Sequence, residues 1–75
     1  MQRYDTAVTE YREAVALQPG YVTAWNNLGN ALEQTKDVEG AFTAYGEALA
    51  YAPDNDVARQ RYDALKGRID RLQLK

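Results

Sequence analysis

Two stretches of the 75-residue chain repeat each other at a spacing of 34 residues, and no other feature constrains the fold as strongly. Residues 4–19, YDTAVTEYREAVALQP, align with residues 38–53, VEGAFTAYGEALAYAP, with seven identities in sixteen positions. In both copies the apolar residues recur every three or four positions, which predicts an amphipathic helix followed by a proline. A period of this length indicates a repeat array, in which each unit packs on its neighbours.

Two further helices are predicted, one between the copies and one after them. The first covers about residues 21–34, and its apolar stripe consists of Val22, Trp25, Leu28 and Leu32. The second has a stripe that consists of Val57, Tyr62, Leu65, Ile69 and Leu72. Asp37 should cap the helix of the second copy, and Asp54 or Asn55 should cap the last helix. We therefore expect an all-α chain of about four helices.

The chain contains neither cysteine nor histidine. Disulfides, thiolate metal sites and the side chain that most often transfers protons near neutral pH are therefore excluded. We expect no metal and no cofactor. No segment reaches the eighteen or so apolar residues that span a bilayer, so we expect no direct membrane insertion. We expect a soluble protein of the cytoplasm or of an equivalent reducing compartment.

Catalysis has no support in the sequence, and we do not expect an enzyme. The pairs Glu10 with Glu13 and Asp54 with Asp56 fall on predicted exposed faces or caps, where nothing would separate their pKa values. The five glycines are scattered singly and form no phosphate-binding loop.

The net charge of −2 conceals a division between an acidic body and a basic last helix. Residues 1–58 carry three basic and nine acidic groups, whereas residues 59–75 carry six basic and two acidic groups. The basic side chains that could contact phosphates are Arg59, Arg61, Lys66, Arg68 and Arg71. Since Tyr62 is the one aromatic residue in this helix and belongs to its apolar stripe, base stacking has no support. We favour a solvated face, or a complement to the acidic helices, and expect no nucleic-acid partner.

The residues on and after the second predicted helix form a further pattern, which comprises Trp25, Leu28, Gly29, Leu32, Ala41, Tyr45, Ala48 and Pro53. This pattern is similar to the signature of the tetratricopeptide repeat, a helix–turn–helix unit of 34 residues. The resemblance implies antiparallel helix pairs stacked as a fragment of an α-solenoid. Residues 1–20 would be the second helix of an incomplete repeat, residues 21–55 one complete repeat, and residues 56–75 a C-terminal capping helix. Gly29 should let the paired helix approach closely, which would offset its cost of about 1 kcal/mol within a helix.

The resemblance also implies a binding surface, because tetratricopeptide arrays hold ligands on the concave face formed by the first helix of each repeat. Here that face would present Asn26, Asn27, Asn30, Glu33, Gln60, Arg61 and Arg68. Carboxamides offer two donors and an acceptor and so match the backbone of an extended peptide. The alternative is that Asn27 bridges adjacent helices within the scaffold and that Asn26 is merely solvated.

One binding mode of the family is a clamp of lysine and asparagine side chains on the terminal carboxylate of a chaperone tail. Asn27 resembles the asparagine of that clamp, but Asn26 stands where the clamp has a lysine. Arg61 could supply one cation from the last helix. Because the chain does not carry the preceding helix, we do not expect the complete clamp.

The function predicted from these features is that of a noncatalytic scaffold for a partner peptide or helix. The alternative is self-assembly into a dimer, through an exchanged C-terminal helix or an incompletely covered N-terminal helix. The self-association residues on the N-terminal helix would be Tyr4, Val8, Tyr11 and Val15, with Tyr4, Val8 and Val15 partly open. A third hypothesis is that the chain is part of an assembly factor for a membrane or photosynthetic complex.

Overall fold

Four α-helices follow one another along the chain in the computed structural model, which describes residues 3–73. They are α1 (Tyr4–Leu17), α2 (Val22–Gln34), α3 (Val38–Tyr51) and α4 (Asp56–Gln73). Within the described range no residue lies in a strand, so the predicted all-α fold is confirmed. The outermost ends of the first and last predicted segments, residues 1, 2, 74 and 75, lie outside that range.

Short turns of three or four residues join the helices, and the predicted caps of the last two helices are present. Asp37 Oδ1 accepts a hydrogen bond from the Gly40 backbone N–H at 2.9 Å. Of the two candidates for the last helix, Asn55 is the cap, since its Oδ1 accepts from the Ala58 N–H at 2.9 Å. Each bond satisfies a donor that the first turn of a helix otherwise leaves unpaired.

The core lies where α3 meets its neighbours, because α3 packs against both α2 and α4 while α1 packs against α2. Small residues dominate the buried face of α3, which comprises Ala41, Ala44, Tyr45 and Ala48. The ring of Tyr45 lies directly against Gly29 of α2: a Cβ added to Gly29 would meet ring atoms at 2.7 Å. The predicted close approach at Gly29 is therefore confirmed.

The apolar stripe predicted for α4 is partly wrong. Val57 and Leu72 are 58% and 66% exposed, whereas Ala58 and Leu65 are fully buried. Ala58 and Leu65 are seven residues apart, so they lie on the same face of the helix and turn that face toward α3. Val57 precedes Ala58 by one residue and therefore points about 100° away from this face. The core position that was predicted for Val57 is therefore occupied by the smaller side chain of Ala58.

One expectation for α1 is also wrong. Val15 is 7% exposed and belongs to the buried core, rather than remaining partly open. It sits near the end of α1 that leads directly into α2, where packing against α2 covers it. Tyr4, Val8 and Tyr11 are only partly buried. Among the described residues, none of the four helices has the length together with the apolar character that a membrane-spanning segment requires.

Candidate functional site

A polar cleft of about 370 Å3 opens between α2 and α4. The residues that line it are Asn26, Asn27, Asn30, Glu33, Gln34, Tyr45, Val57 and Arg61. The α2 residues in this set recur at spacings of three and four, which places them along one side of the helix. Five of the seven residues predicted for the concave surface are thus brought together, while Gln60 and Arg68 are exposed and do not line the cleft.

Glu33 occupies the centre of a hydrogen-bond network that joins three helices. Arg61 of α4 holds the Glu33 carboxylate with two donors, and its Nε lies 3.0 Å from Oε2. The Tyr45 hydroxyl of α3 donates to the same Oε2 at 2.9 Å. The Glu33 side chain is 14% exposed and the Arg61 side chain 43% exposed. Arg61, predicted as a ligand-binding cation, is therefore engaged within the protein.

The network fixes the protonation of its members. Burial alone would raise the pKa of Glu33, but hydrogen bonds from Arg61 and Tyr45 and the charges of Arg61 and Arg68 outweigh burial and lower it. Burial and the bond to Glu33 raise the pKa of the Tyr45 hydroxyl. The bond to Glu33 raises the pKa of Arg61. At neutral pH the network holds a carboxylate between two protonated donors, and its stabilising effect is lost as the pH falls through the lowered Glu33 value.

A second polar link crosses from α2 to the turn before α4. Asn26 Nδ2 donates to Asn55 Oδ1 at 3.2 Å. The scaffold-bridging role proposed as an alternative for Asn27 therefore belongs to Asn26, and Asn26 is not merely solvated. The Oδ1 of Asn26 is buried and has no hydrogen-bond partner. This carbonyl oxygen is an acceptor whose capacity the described residues leave unused.

Asn27 and Asn30 have a different environment from Asn26. Both are exposed, and neither takes part in a side-chain hydrogen bond with any residue that the structure describes. Their carboxamides face the cleft with all donors and acceptors available. These two asparagines are the lining residues most suited to contact a ligand.

Sequence reasoning missed three lining residues, and two of them had a detectable signal. Gln34 lies seven residues after Asn27, so the polar side of α2 continues to the end of the helix. Tyr45 is one of the recurring apolar residues of the second copy, and its ring is buried, but its hydroxyl reaches Glu33. A buried tyrosine needs a partner for that hydroxyl, which is a reason to look for an acceptor nearby. Val57 was assigned to the core.

The structure gives little support to the other sites considered from the sequence, which are the cations of α4 and the carboxylate pairs. Of the five cations on α4, Arg61 is paired with Glu33, and Arg59 lies 4.0 Å from Asp63 one turn away. The carboxylates of Glu10, Glu13, Asp54 and Asp56 are exposed. Within residues 3–73 no group of three or more acidic side chains is arranged to hold a metal ion.

Comparison with known proteins gives a family match and several relatives. A family model of the tetratricopeptide repeat matches residues 1–57. The chain is 51% identical over 67 residues to the tetratricopeptide repeat domain-containing protein PYG7, chloroplastic, of Arabidopsis thaliana, which covers 89% of this chain and 22% of that protein.

Two further relatives are more distant. The uncharacterized protein ycf37 of Guillardia theta is 32% identical over 69 residues, covering 92% of this chain and 39% of the relative. Tetratricopeptide repeat protein 36 of Xenopus tropicalis is 36% identical over 70 residues, covering 93% of this chain and 35% of the relative. The chain therefore spans between 22% and 39% of the length of these relatives.

Proposed function

Because the chain belongs to the tetratricopeptide repeat family, we propose that it is a noncatalytic scaffold that holds a partner polypeptide in the cleft between α2 and α4. The observation that carries this proposal is the pair Asn27 and Asn30, which line the cleft with unpaired carboxamides. Proteins of this family are generally scaffolds without catalytic activity. The proposed partner is a protein rather than a nucleic acid, since Arg61, the cation that lines the cleft, is already paired with Glu33.

In this proposal each helix has its own place in the repeat architecture. α2 and α3 are the two helices of the complete repeat within residues 21–55. α1 is the second helix of another repeat within residues 1–20, and α4 caps the stack within residues 56–75. The cleft then lies between the first helix of the repeat and the capping helix, so both elements contribute to ligand contact.

The double substitution Asn27→Ala with Asn30→Ala should weaken partner capture without harming the fold. Alanine is the better helix former by about 0.5 kcal/mol at each exposed site, so the melting temperature should hold or rise. Losing two carboxamide contacts should reduce capture about tenfold or more. The measurement is retention of the partner from a cell extract by immobilised protein, alongside thermal unfolding followed by circular dichroism.

Gln60→Ala is the matched control, because it removes an exposed carboxamide of α4 that does not line the cleft. Capture by this variant should equal that of the parent. Arg61 is left intact in both variants, since removing it would leave Glu33 without its cation. If the double variant unfolded, Asn27 and Asn30 would be bonds of the scaffold, and if it captured the partner as well as the parent does, the cleft would not be the binding site.

A second candidate function is self-assembly, and the exposure of α1 favours it. Tyr4, Val8 and Tyr11 are only partly buried, and Leu17 is 84% exposed. Apolar surface of this kind, covered by a second copy, would contribute about 1.5 to 3 kcal/mol for each fully buried side chain. A two-fold dimer through α1 uses the same face on both copies. An exchanged α4 remains the other route to a dimer.

The dimer hypothesis predicts that the mass of the parent rises with concentration in light scattering after size exclusion, and that Tyr4→Lys with Val8→Glu restores the monomer. Val15 is left unchanged because it belongs to the core. Thr6→Glu with Thr9→Lys changes two exposed α1 positions by the same net charge and should still dimerise. A parent that stays monomeric up to millimolar concentration would remove the hypothesis, and a dimer that survives Tyr4→Lys with Val8→Glu would move the interface away from this face.

Two narrower proposals concern the compartment in which the chain resides and the identity of its partner. The Arabidopsis relative is described as chloroplastic, and we extend that compartment to this chain in place of the cytoplasm. A partner within a membrane or photosynthetic complex under assembly would fit that location. Comparing the captured proteins of a chloroplast extract and a cytosolic extract tests this proposal, with the double asparagine variant as the background in each.

A further inference from the structure

The charged side chains that line the cleft are one carboxylate and one guanidinium, Glu33 and Arg61, and they bind each other. The remaining lining residues are uncharged: Asn26, Asn27, Asn30, Gln34, Tyr45 and Val57. The cleft therefore combines a polar surface with no formal net charge. Without Glu33 the same cleft would present Arg61 as an uncompensated cation.

We propose that Glu33 determines the specificity of this cleft: by engaging Arg61 it selects uncharged, extended polypeptide segments over chain ends that carry a free carboxylate. The inference rests on the proposed function of the cleft as a polypeptide site. It names the class of partner, which is an internal segment read through its peptide groups. It also assigns Glu33 a role distinct from direct ligand contact, namely positioning and neutralising Arg61.

The first argument concerns the cost of binding a carboxylate. A ligand carboxylate that took Arg61 would have to displace Glu33 from a guanidinium that it contacts through Nε and Nη2. Glu33 is 14% exposed and would then keep only the Tyr45 hydroxyl as a hydrogen-bond donor. An unpaired and largely buried charge is unfavourable, so exchange of one carboxylate for another gains nothing.

The second argument concerns what the uncharged residues offer. The free carboxamides of Asn27 and Asn30 present both donors and acceptors, as a peptide group does. A peptide N–H can donate to the side-chain carbonyl oxygens of Asn27 and Asn30, whereas an ionised carboxylate carries no donor at all. The chemistry of the lining thus favours peptide groups.

The probe is a pair of peptides that differ in one charge, N-acetyl-tetraalanine with a free C-terminal carboxylate and the same peptide with a C-terminal amide. Binding is followed by NMR titration of the ¹⁵N-labelled chain, read at the side-chain amides of Asn27 and Asn30. The parent should bind the amide peptide more tightly than the acid. Glu33→Gln should shift the ratio of affinities about fivefold or more toward the acid, because Arg61 then lacks its anion.

Two variants separate this role from a general effect of charge. Glu10→Gln removes the same charge from the exposed surface of α1 and should leave the ratio unchanged. Glu33→Gln combined with Arg61→Gln should abolish the shift, because the cation that causes it is gone. A purely structural role of Glu33 would instead weaken both peptides equally in Glu33→Gln.

The peptide titrations distinguish a failure of the proposed role of Glu33 from a failure of the cleft as a polypeptide site. A parent that binds the acid as tightly as the amide or more tightly, or a shift that persists without Arg61, overturns the role of Glu33 while leaving the polypeptide site intact. If neither the parent nor Glu33→Gln binds either peptide, the cleft is not a polypeptide site, and the proposed function fails together with the role of Glu33. The comparison of the two peptides on the parent tests the proposal even if Glu33→Gln proves unstable.

Discussion

Replacing Gly29 by leucine is expected to lower the free energy of unfolding by about 2 to 3 kcal/mol, although leucine is the better helix former. A chain of this length has a total stability of about 4 to 11 kcal/mol, so the change would remove a large part of it. The reason is the contact between Gly29 and Tyr45. A Cβ at this position would lie 2.7 Å from two ring carbons of Tyr45 and 2.9 Å from a third.

The ring cannot move aside at low cost. Tyr45 is 2% exposed, and its hydroxyl is bonded to Glu33, so displacement disturbs both the core and the network in the cleft. Backbone strain plays no part, since no glycine in the described chain has a positive φ. The effect of the substitution therefore reports on the distance between α2 and α3 at this crossing.

Gly67→Leu is the matched control for Gly29→Leu. Gly67 also lies inside a helix, but a Cβ added there meets no atom within 4 Å. This variant should gain about 0.8 kcal/mol from helix propensity alone. Thermal unfolding followed by circular dichroism should therefore separate the two variants by about 10 to 30 °C. Equal melting temperatures for Gly29→Leu and the parent would show that the pairing of α2 with α3 is wrong.

The elements that local chemistry determines could be predicted from the sequence. The period of the apolar residues predicted all four helices, and the requirement for a side-chain acceptor three residues ahead predicted the cap at Asp37. The helices and the cap depend on residues within one helix or one turn, so their prediction needs no knowledge of how the helices are arranged. Gly29 was predicted to be a crossing point because the family resemblance implies a paired helix there and because a glycine inside an apolar stripe needs a packing reason.

The candidate site was predictable only in part, because its decisive contacts join residues that are distant in the chain. Glu33 and Arg61 are 28 positions apart, and Asn26 and Asn55 are 29 positions apart. Which of these side chains come into contact depends on the rotational orientation of α4 about its own axis, relative to α3. The same rotation decides that Ala58 rather than Val57 is buried. Both residues are apolar, so periodicity in a single chain could not distinguish them.

Leu65→Ala should have the largest effect on α4 and should cost about 2 to 5 kcal/mol. Leu65 is completely buried, and with Tyr45 it is the largest side chain that the core encloses entirely. α4 packs chiefly against α3, so deleting this anchor leaves the helix with Ala58 and the partly buried Tyr62 and Ile69 to hold it. Tyr62 stacks on Phe42 with ring centroids 4.5 Å apart, which should keep some native docking.

The functional consequence of Leu65→Ala follows from its position one helical turn after Arg61. A loosened α4 can no longer hold Arg61 against Glu33. The side of the cleft that α4 forms should therefore be lost, together with part of the free energy of unfolding. Urea unfolding can separate these events, because circular dichroism reports on all four helices while the fluorescence of Trp25 reports on α2. In the variant, the loss of helix should begin at lower urea concentration than the change in fluorescence, since α4 detaches first.

Leu72→Ala provides the comparison for Leu65→Ala, because it makes the same chemical change on the same helix at a side chain that is 66% exposed. Its free energy of unfolding should stay within about 0.5 kcal/mol of the parent value, and its two transitions should coincide. If Leu65→Ala behaved like Leu72→Ala, α4 would not be docked through Leu65. The Glu33–Arg61 contact depends on that docking, so the proposed specificity of the cleft would then lose its structural basis as well.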